Sequence, residues 1–257
     1  METVTSKDGT TIAYDKLGAG PSLILVSGGS CDRMVDAGLA NGLAEVATVY
    51  NYDRRGRGDS TDTLPYAVER EIEDLQALLD VTGRAAVLGL SSGAALTAHA
   101  AAAGLDFSHV VLWEAPYLND EGLLARAKKY RADLAAALAQ DDRDGAVALF
   151  MRQVGLPDEM IAGMKHSPYW EIGRRLALTL AYDAACLGDD RIPAETFAKI
   201  RAKTLVLDGD QSPAFMREAA AALAGAIPNA KAATLAGQDH DVQAAVLNPV
   251  LSEFLAS

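Results

Sequence analysis

Along the first third of the chain, short runs of consecutive apolar residues alternate with segments whose apolar positions fall at helical spacing. Residues 10–14, 22–27, 46–52, 85–90 and 109–113 read as strands, bounded by turn signals such as Gly18-Ala19-Gly20-Pro21. Between them, Ile72, Leu75, Leu78 and Leu79 line one face of a helix predicted over 69–81, and the alanine-rich stretch 93–103 predicts a second. Strands that are apolar throughout, joined by helices, belong to a parallel sheet covered on both faces.

From residue 118 to 192 the strand pattern stops. Helices are predicted there at 123–139, 145–154, 158–165 and 170–187. Alternation then resumes with a strand at 204–208, a helix at 214–224, a strand at 230–235 and a last helix at 242–255. The expected organisation is therefore an α/β core from 1–117 and 193–257, interrupted by a helical insertion at 118–192. Such an insertion is expected above one end of the sheet, as a cap over a substrate site. No period of repetition appears, which excludes a solenoid or propeller.

Composition narrows the class further. Hydrophobic residues make up 50% of the chain and charged residues 23%, the balance of a globular protein and not of a disordered or fibrous one. The net charge of -12 argues against nucleic acid or an anionic membrane as partner, since both require basic patches. Only 2 of the 12 surplus negative charges fall in 118–192, so the segment expected to meet substrate is nearly neutral. Cys31 and Cys186 are too few for a disulfide framework or a zinc knuckle and read as small buried hydrophobes. The first residues lack a basic stretch followed by an apolar one, and no apolar run suffices to span a bilayer, so a soluble, cytoplasmic chain is expected. Neither a histidine pair at metal-ligand spacing nor a dinucleotide-binding glycine motif is present; no metal and no cofactor are expected.

The chemistry concentrates at Gly89-Leu90-Ser91-Ser92-Gly93, which matches G-x-S-x-G with a predicted strand before it and a helix after it. That context turns the backbone sharply at the serine and leaves helix N–H groups facing a developing oxyanion. A serine nucleophile needs a base, and four histidines are available. His99 lies inside the elbow helix, His109 opens a strand and His166 sits in the insertion. His240 follows the last strand in a loop at the same sheet edge as Ser91 and comes last in the order serine, acid, histidine. The glycines of Ser27-Gly28-Gly29-Ser30, at the end of another strand, let a backbone N–H turn toward the nucleophile. Gly29 and Ser92 are thus the expected oxyanion donors.

Together these segments, with Tyr52 to Ser60, the inserted helices and Gly237 to His240, resemble the α/β-hydrolase superfamily. The resemblance implies an α/β-hydrolase fold: an eight-stranded, mostly parallel sheet with an inserted helical cap and a Ser-His-acid triad. It implies a mainly structural role for the Asp53 to Ser60 loop. The common acid position, counted from Gly209, falls on Ser212, with Asp208 and Asp210 near but out of step. Glu114 instead ends the preceding strand at the same sheet edge. A subset of the superfamily that includes zearalenone-opening lactonases carries its triad glutamate there and reads Ser-Ser-Gly at the elbow, as this chain does. Glu114 is the expected acid, with Asp208 and Asp210 as alternatives.

These residues imply an acyl-enzyme hydrolase of a small, neutral, largely apolar ester or lactone, acting alone or as a homodimer. A perhydrolase or C–C hydrolase with the same triad, or a non-catalytic ligand-binding protein of this fold, are the alternatives. Ser30, Tyr117, Met151 and Trp170 are the expected substrate contacts, Trp170 because it lies between predicted helices.

Overall fold

Along strand β3 (Ser22–Val26), Leu23 and Leu25 enter one hydrophobic core while Ile24 and Val26 enter another. The same alternation divides Val87 from Ala86 and Leu88 on β5 (Ala86–Leu90), and Val110 and Leu112 from Val111 and Trp113 on β6 (His109–Trp113). Successive side chains of a strand point to opposite faces, so strands apolar at every position make a sheet with two cores.

The computed structural model describes all 257 residues. The remaining strands are β1 (Glu2–Thr5), β2 (Thr11–Gly18), β4 (Thr48–Tyr52), β7 (Lys203–Gly209) and β8 (Ala230–Leu235). All form one eight-stranded sheet ordered β1-β2-β4-β3-β5-β6-β7-β8. The β1–β2 and β2–β4 pairings are antiparallel and the rest parallel. Helices α1 (Ala37–Leu43) and α11 (Ala244–Leu255) cover one face; α2 (Val68–Thr82), α3 (Ser92–Ala102) and α10 (Ala214–Ala226) cover the other. This is the α/β-hydrolase fold. Sequence periodicity had no hold on β1, an exposed edge strand, or on α1, which contains two glycines.

Between β6 and β7 the chain runs through α4 (Glu121–Ala139), α5 (Arg143–Gln153), α6 (Asp158–Met164), α7 (Pro168–Leu176), α8 (Leu180–Leu187) and the short α9 (Ala194–Phe197). Asp120, Asp142 and Ser167 cap α4, α5 and α7 with side-chain acceptors for the first-turn amides. Leu134, Val147, Trp170 and Leu180 form a separate small core inside this segment.

The single helix expected over 170–187 is broken. After α7 the chain tightens into a 3-10 turn, Ala177–Thr179, where the Thr179 hydroxyl donates to the Leu176 carbonyl at 2.8 Å. The break lets α7 stay with α5 while α8 packs against α3. Cys186 of α8 joins the main sheet core, so the last helices of the segment are anchored to the scaffold.

Candidate active site

Ser91 directly follows strand β5 and begins the turn into α3, with φ 53° and ψ -122°, a left-handed conformation that a non-glycine residue adopts at a cost. Its neighbours explain how the turn is tolerated. A Cβ on Gly93 would collide with the Val26 carbonyl oxygen, and one on Gly89 would stand 2.5 Å from the Thr97 hydroxyl, so both positions must be glycine for strand and helix to meet this closely. The Ser91 amide donates to the Trp113 carbonyl at 2.9 Å, and the Ser91 carbonyl accepts from Ala94 and Ala95 at 2.9 and 3.3 Å. Ser92 N–H, at the first position of α3, donates to no protein acceptor.

The loop after β3 lies against the elbow. A Cβ on Gly28 would stand 3.1 Å from Ser91 Cβ, and the Gly29 amide, like that of Ser92, has no acceptor in the protein. Ser30 follows, half-buried at φ 55°. Two unpaired amides thus flank the nucleophile-type serine from different strands.

Glu114 follows β6 directly, also in the left-handed region at φ 45°. Its side chain is fully buried. Oε1 accepts from the Gly209 amide at 2.9 Å, and Oε2 lies 2.7 Å from His240 Nδ1. Burial works to raise the carboxyl pKa, but the hydrogen bonds from His240 and Gly209 outweigh it and hold Glu114 below its ordinary value. An ionised carboxylate can only accept. Nδ1 therefore donates to Glu114, which leaves Nε2 as the ring nitrogen open to act as a base.

The loop holding His240 is braced from several sides. The Trp113 indole donates to the His240 carbonyl at 3.0 Å. Gln238 accepts the Gln211 and Gln243 amides, and Asp210 Oδ1 accepts the Gly237 amide at 2.8 Å. Asp210 is exposed and binds the backbone of the loop. Asp208 is buried, with Oδ1 unpartnered, and burial pushes its carboxyl pKa up. Of the three acids considered from the sequence, Glu114 is the one whose carboxylate meets His240. The other histidines sit elsewhere: His99 against Phe197, His109 against Phe254, and His166 exposed on the helical segment.

Of the side chains expected at a substrate pocket, Trp170 and Tyr117 lie in packed interiors and Met151 is half-buried. Trp170 is 3% exposed within the helical segment's core, its indole bonded to Asp144 Oδ1 at 2.6 Å. Met151 packs against that same core. Tyr117 is buried beneath the sheet edge, edge-on to Phe197. Trp170 is expected to touch substrate from its place between predicted helices, but packing of α5 on α7 encloses it.

Phe150 of α5 instead reaches the site: its ring carbons stand 3.3 and 3.4 Å from the Cβ position of Gly29. From α8, the Asp183 carboxylate receives the Ser92 hydroxyl at 2.7 Å. Neither contact follows from spacing alone, although Asp183 is conspicuous as the one charged residue of an otherwise apolar helix. No three His, Cys, Asp or Glu side chains gather into a metal-binding group. No helix is long and apolar enough to cross a membrane.

Comparison with known proteins bears on the family and the fold. Residues 23–249 match the model of the Alpha/beta hydrolase family. An alpha/beta hydrolase from Sphaerobacter thermophilus is 46% identical, with a TM-score of 0.89 over 98% of this chain and 99% of its own. A thermophilic esterase from Thermogutta terrifontis is 21% identical, with a TM-score of 0.72 over 99% and 97% of the two chains. An enol-lactonase from Burkholderia xenovorans is 24% identical, with a TM-score of 0.66 over the full length of both. A matched family model spanning most of the chain, on this sheet order and with a strained serine at the elbow, leads to one conclusion: the chain belongs to the alpha/beta hydrolase family.

Proposed function

We propose that the protein is a cofactor-independent serine hydrolase of carboxylic esters or lactones, with Ser91, His240 and Glu114 as its triad. The observation that carries this reading is the 2.7 Å contact between Glu114 and His240 Nδ1, at the sheet edge where Ser91 is held in its left-handed turn. With Nδ1–H donated to Glu114, His240 Nε2 takes the Ser91 proton as Oγ attacks the carbonyl carbon. The negative charge that develops on the carbonyl oxygen is stabilised by the Gly29 and Ser92 N–H groups, which have no other acceptor. Collapse of the tetrahedral species breaks the ester C–O bond, and the leaving alkoxide takes the proton from His240. Water then attacks the acyl-enzyme with His240 as base, releasing the acid and restoring Ser91.

Glutamate directly after β6, together with Ser91-Ser92-Gly93, resembles the subset of the superfamily that includes the zearalenone-opening lactonases, and this likeness favours an ester or lactone substrate. The structurally similar esterase and enol-lactonase are consistent with that choice. Phe150 beside Gly29, and the near-neutral helical segment, favour an uncharged and largely apolar acyl or alcohol group.

The test is turnover of p-nitrophenyl acetate and a panel of lactones by the wild type and by Ser91→Ala. Hydrolysis by the wild type, reduced at least about 10³-fold in Ser91→Ala, is the expected result. A wild type as inert as Ser91→Ala on every ester and lactone, while still binding one of them, overturns the assignment.

A further inference from the structure

The Asp53 to Ser60 loop carries three arginines whose side chains are all fully buried: Arg54, Arg55 and Arg57. Burying a guanidinium is costly unless every contact is supplied, so what each one holds is informative. Arg55 braces the fold, pairing with Asp74 of α2 and with Asp8. Arg54 is locked two-pronged onto Glu71 at 2.7 Å for each bond and also reaches Asp183 at 2.7 Å.

Arg57 is different. Nη1 donates to the Gly28 carbonyl at 2.6 Å and to the Cys31 carbonyl at 3.1 Å, while Nη2 donates to Asp183 Oδ1 at 2.7 Å. In a trans peptide the C=O and the N–H point in opposite directions. A guanidinium fixed on the Gly28 oxygen therefore turns the Gly29 N–H away from the loop, and Gly28 itself lies against Ser91. The same Asp183 oxygen accepts the Ser92 hydroxyl at 2.7 Å, which ties down the residue bearing the second unpaired amide. Two arginines and two carboxylates make this cluster electrically balanced.

We propose that Arg57 and Asp183 are positioning residues for oxyanion stabilisation. Arg57 sets the plane of the Gly28–Gly29 peptide. Asp183, delivered from α8 of the inserted helical segment, holds both Arg57 and Ser92, so one carboxylate oxygen links the two donors to each other and to the segment over the site. The proposal rests on reading Gly29 and Ser92 as the oxyanion donors.

Arg57→Lys tests it, because lysine keeps the charge but cannot bridge Gly28 and Asp183 with a planar fork. Activity is expressed per active site titrated with a fluorophosphonate, so that partial unfolding does not count as lost catalysis. The expected result is a kcat lower by about 10- to 100-fold with KM within about threefold, below the full loss of an oxyanion donor. Binding of phenylboronic acid, whose adduct on Ser91 places a negative oxygen where the oxyanion develops, weakens by a similar factor. Arg55→Lys is the control: it lowers thermal stability but leaves kcat per site within about twofold.

A second readout needs no turnover. In protein labelled with ¹⁵N-glycine, the Gly29 amide resonance shifts in Arg57→Lys while that of Gly225, on the distant α10, does not. An unmoved Gly29 resonance, or an unchanged kcat per site despite a moved one, overturns the proposal. If the wild type hydrolyses no ester or lactone at all, the functional reading fails on its own, and the Gly29 resonance still decides whether Arg57 sets the peptide.

Discussion

The Trp113 indole N–H donates to the His240 carbonyl at 3.0 Å, joining the end of β6 to the loop after β8. The Trp113 carbonyl accepts the Ser91 amide, and the next residue, Glu114, reaches the His240 ring. One dipeptide thus touches the backbone of both Ser91 and His240 and orients the imidazole as well. Trp113→Phe retains an aromatic ring but removes the indole bond, worth about 1 kcal/mol. The expected outcome is a kcat up to about fivefold lower with little change in KM, measured on the best ester substrate; an unchanged kcat contradicts the coupling.

Glu114→Gln keeps the shape of the side chain but removes the ionised acceptor that fixes the His240 tautomer. A fall in kcat of about 10²- to 10⁴-fold is expected, the scale seen when an orienting carboxylate is lost. Asp210→Asn should cost far less, because the Asp210 carboxylate binds the Gly237 amide and the Gln211 side chain and does not meet His240. Full activity in Glu114→Gln with loss in Asp210→Asn contradicts the assignment.

Asp208 should behave in the opposite sense, and in stability instead of rate. Its pKa is raised by burial, so the folded state disfavours its charge. That penalty is absent below the ordinary aspartate pKa of about 3.9 and grows as pH rises through it toward the raised value. For Glu114 the sign reverses: its lowered pKa stabilises the fold above the ordinary glutamate range, and that stability is lost as pH falls through the folded value. Thermal unfolding followed from pH 3.5 to 7 should therefore show Asp208→Asn gaining on the wild type as pH rises. A stability difference between the two that stays constant or moves the other way from pH 3.5 to 7 contradicts this.

Cys31 lies close to the site, its Sγ 3.3 Å from the Gly29 carbonyl, and burial pushes its thiol pKa up to about 12. Cys186 is raised to about 12 in the same way. Neither forms a thiolate near neutral pH, so iodoacetamide at pH 8 should leave hydrolysis intact for hours. Cys31 is half-buried, so rapid inactivation with the label on Cys31 would reveal a reactive thiolate and contradict its raised pKa.

Much of this architecture is legible from local pattern. The strands that are apolar at every position identify a sheet with two cores, and G-x-S-x-G between strand and helix locates the elbow because its constraints are steric and confined to five residues. His240 and Glu114 are legible for a related reason: both follow strands, and parallel strands deliver their carboxyl ends to one edge. The contacts from the helical segment are not legible. Trp170 is enclosed through Asp144, and Asp183 meets arginines more than a hundred residues earlier in the chain. The resemblance implies only a structural role for the three arginines of the Asp53 to Ser60 loop; which carboxylates bury them emerges from the tertiary contacts.

The most direct test of the central claim is covalent labelling by a fluorophosphonate, followed by mass spectrometry of the intact protein and its peptides. A single adduct on the peptide containing Ser91 is expected in the wild type, formed at least about 10²-fold more slowly in Glu114→Gln and His240→Ala and absent in Ser91→Ala. An adduct on another residue, or one formed on Ser91 at the wild-type rate in His240→Ala, would contradict the triad.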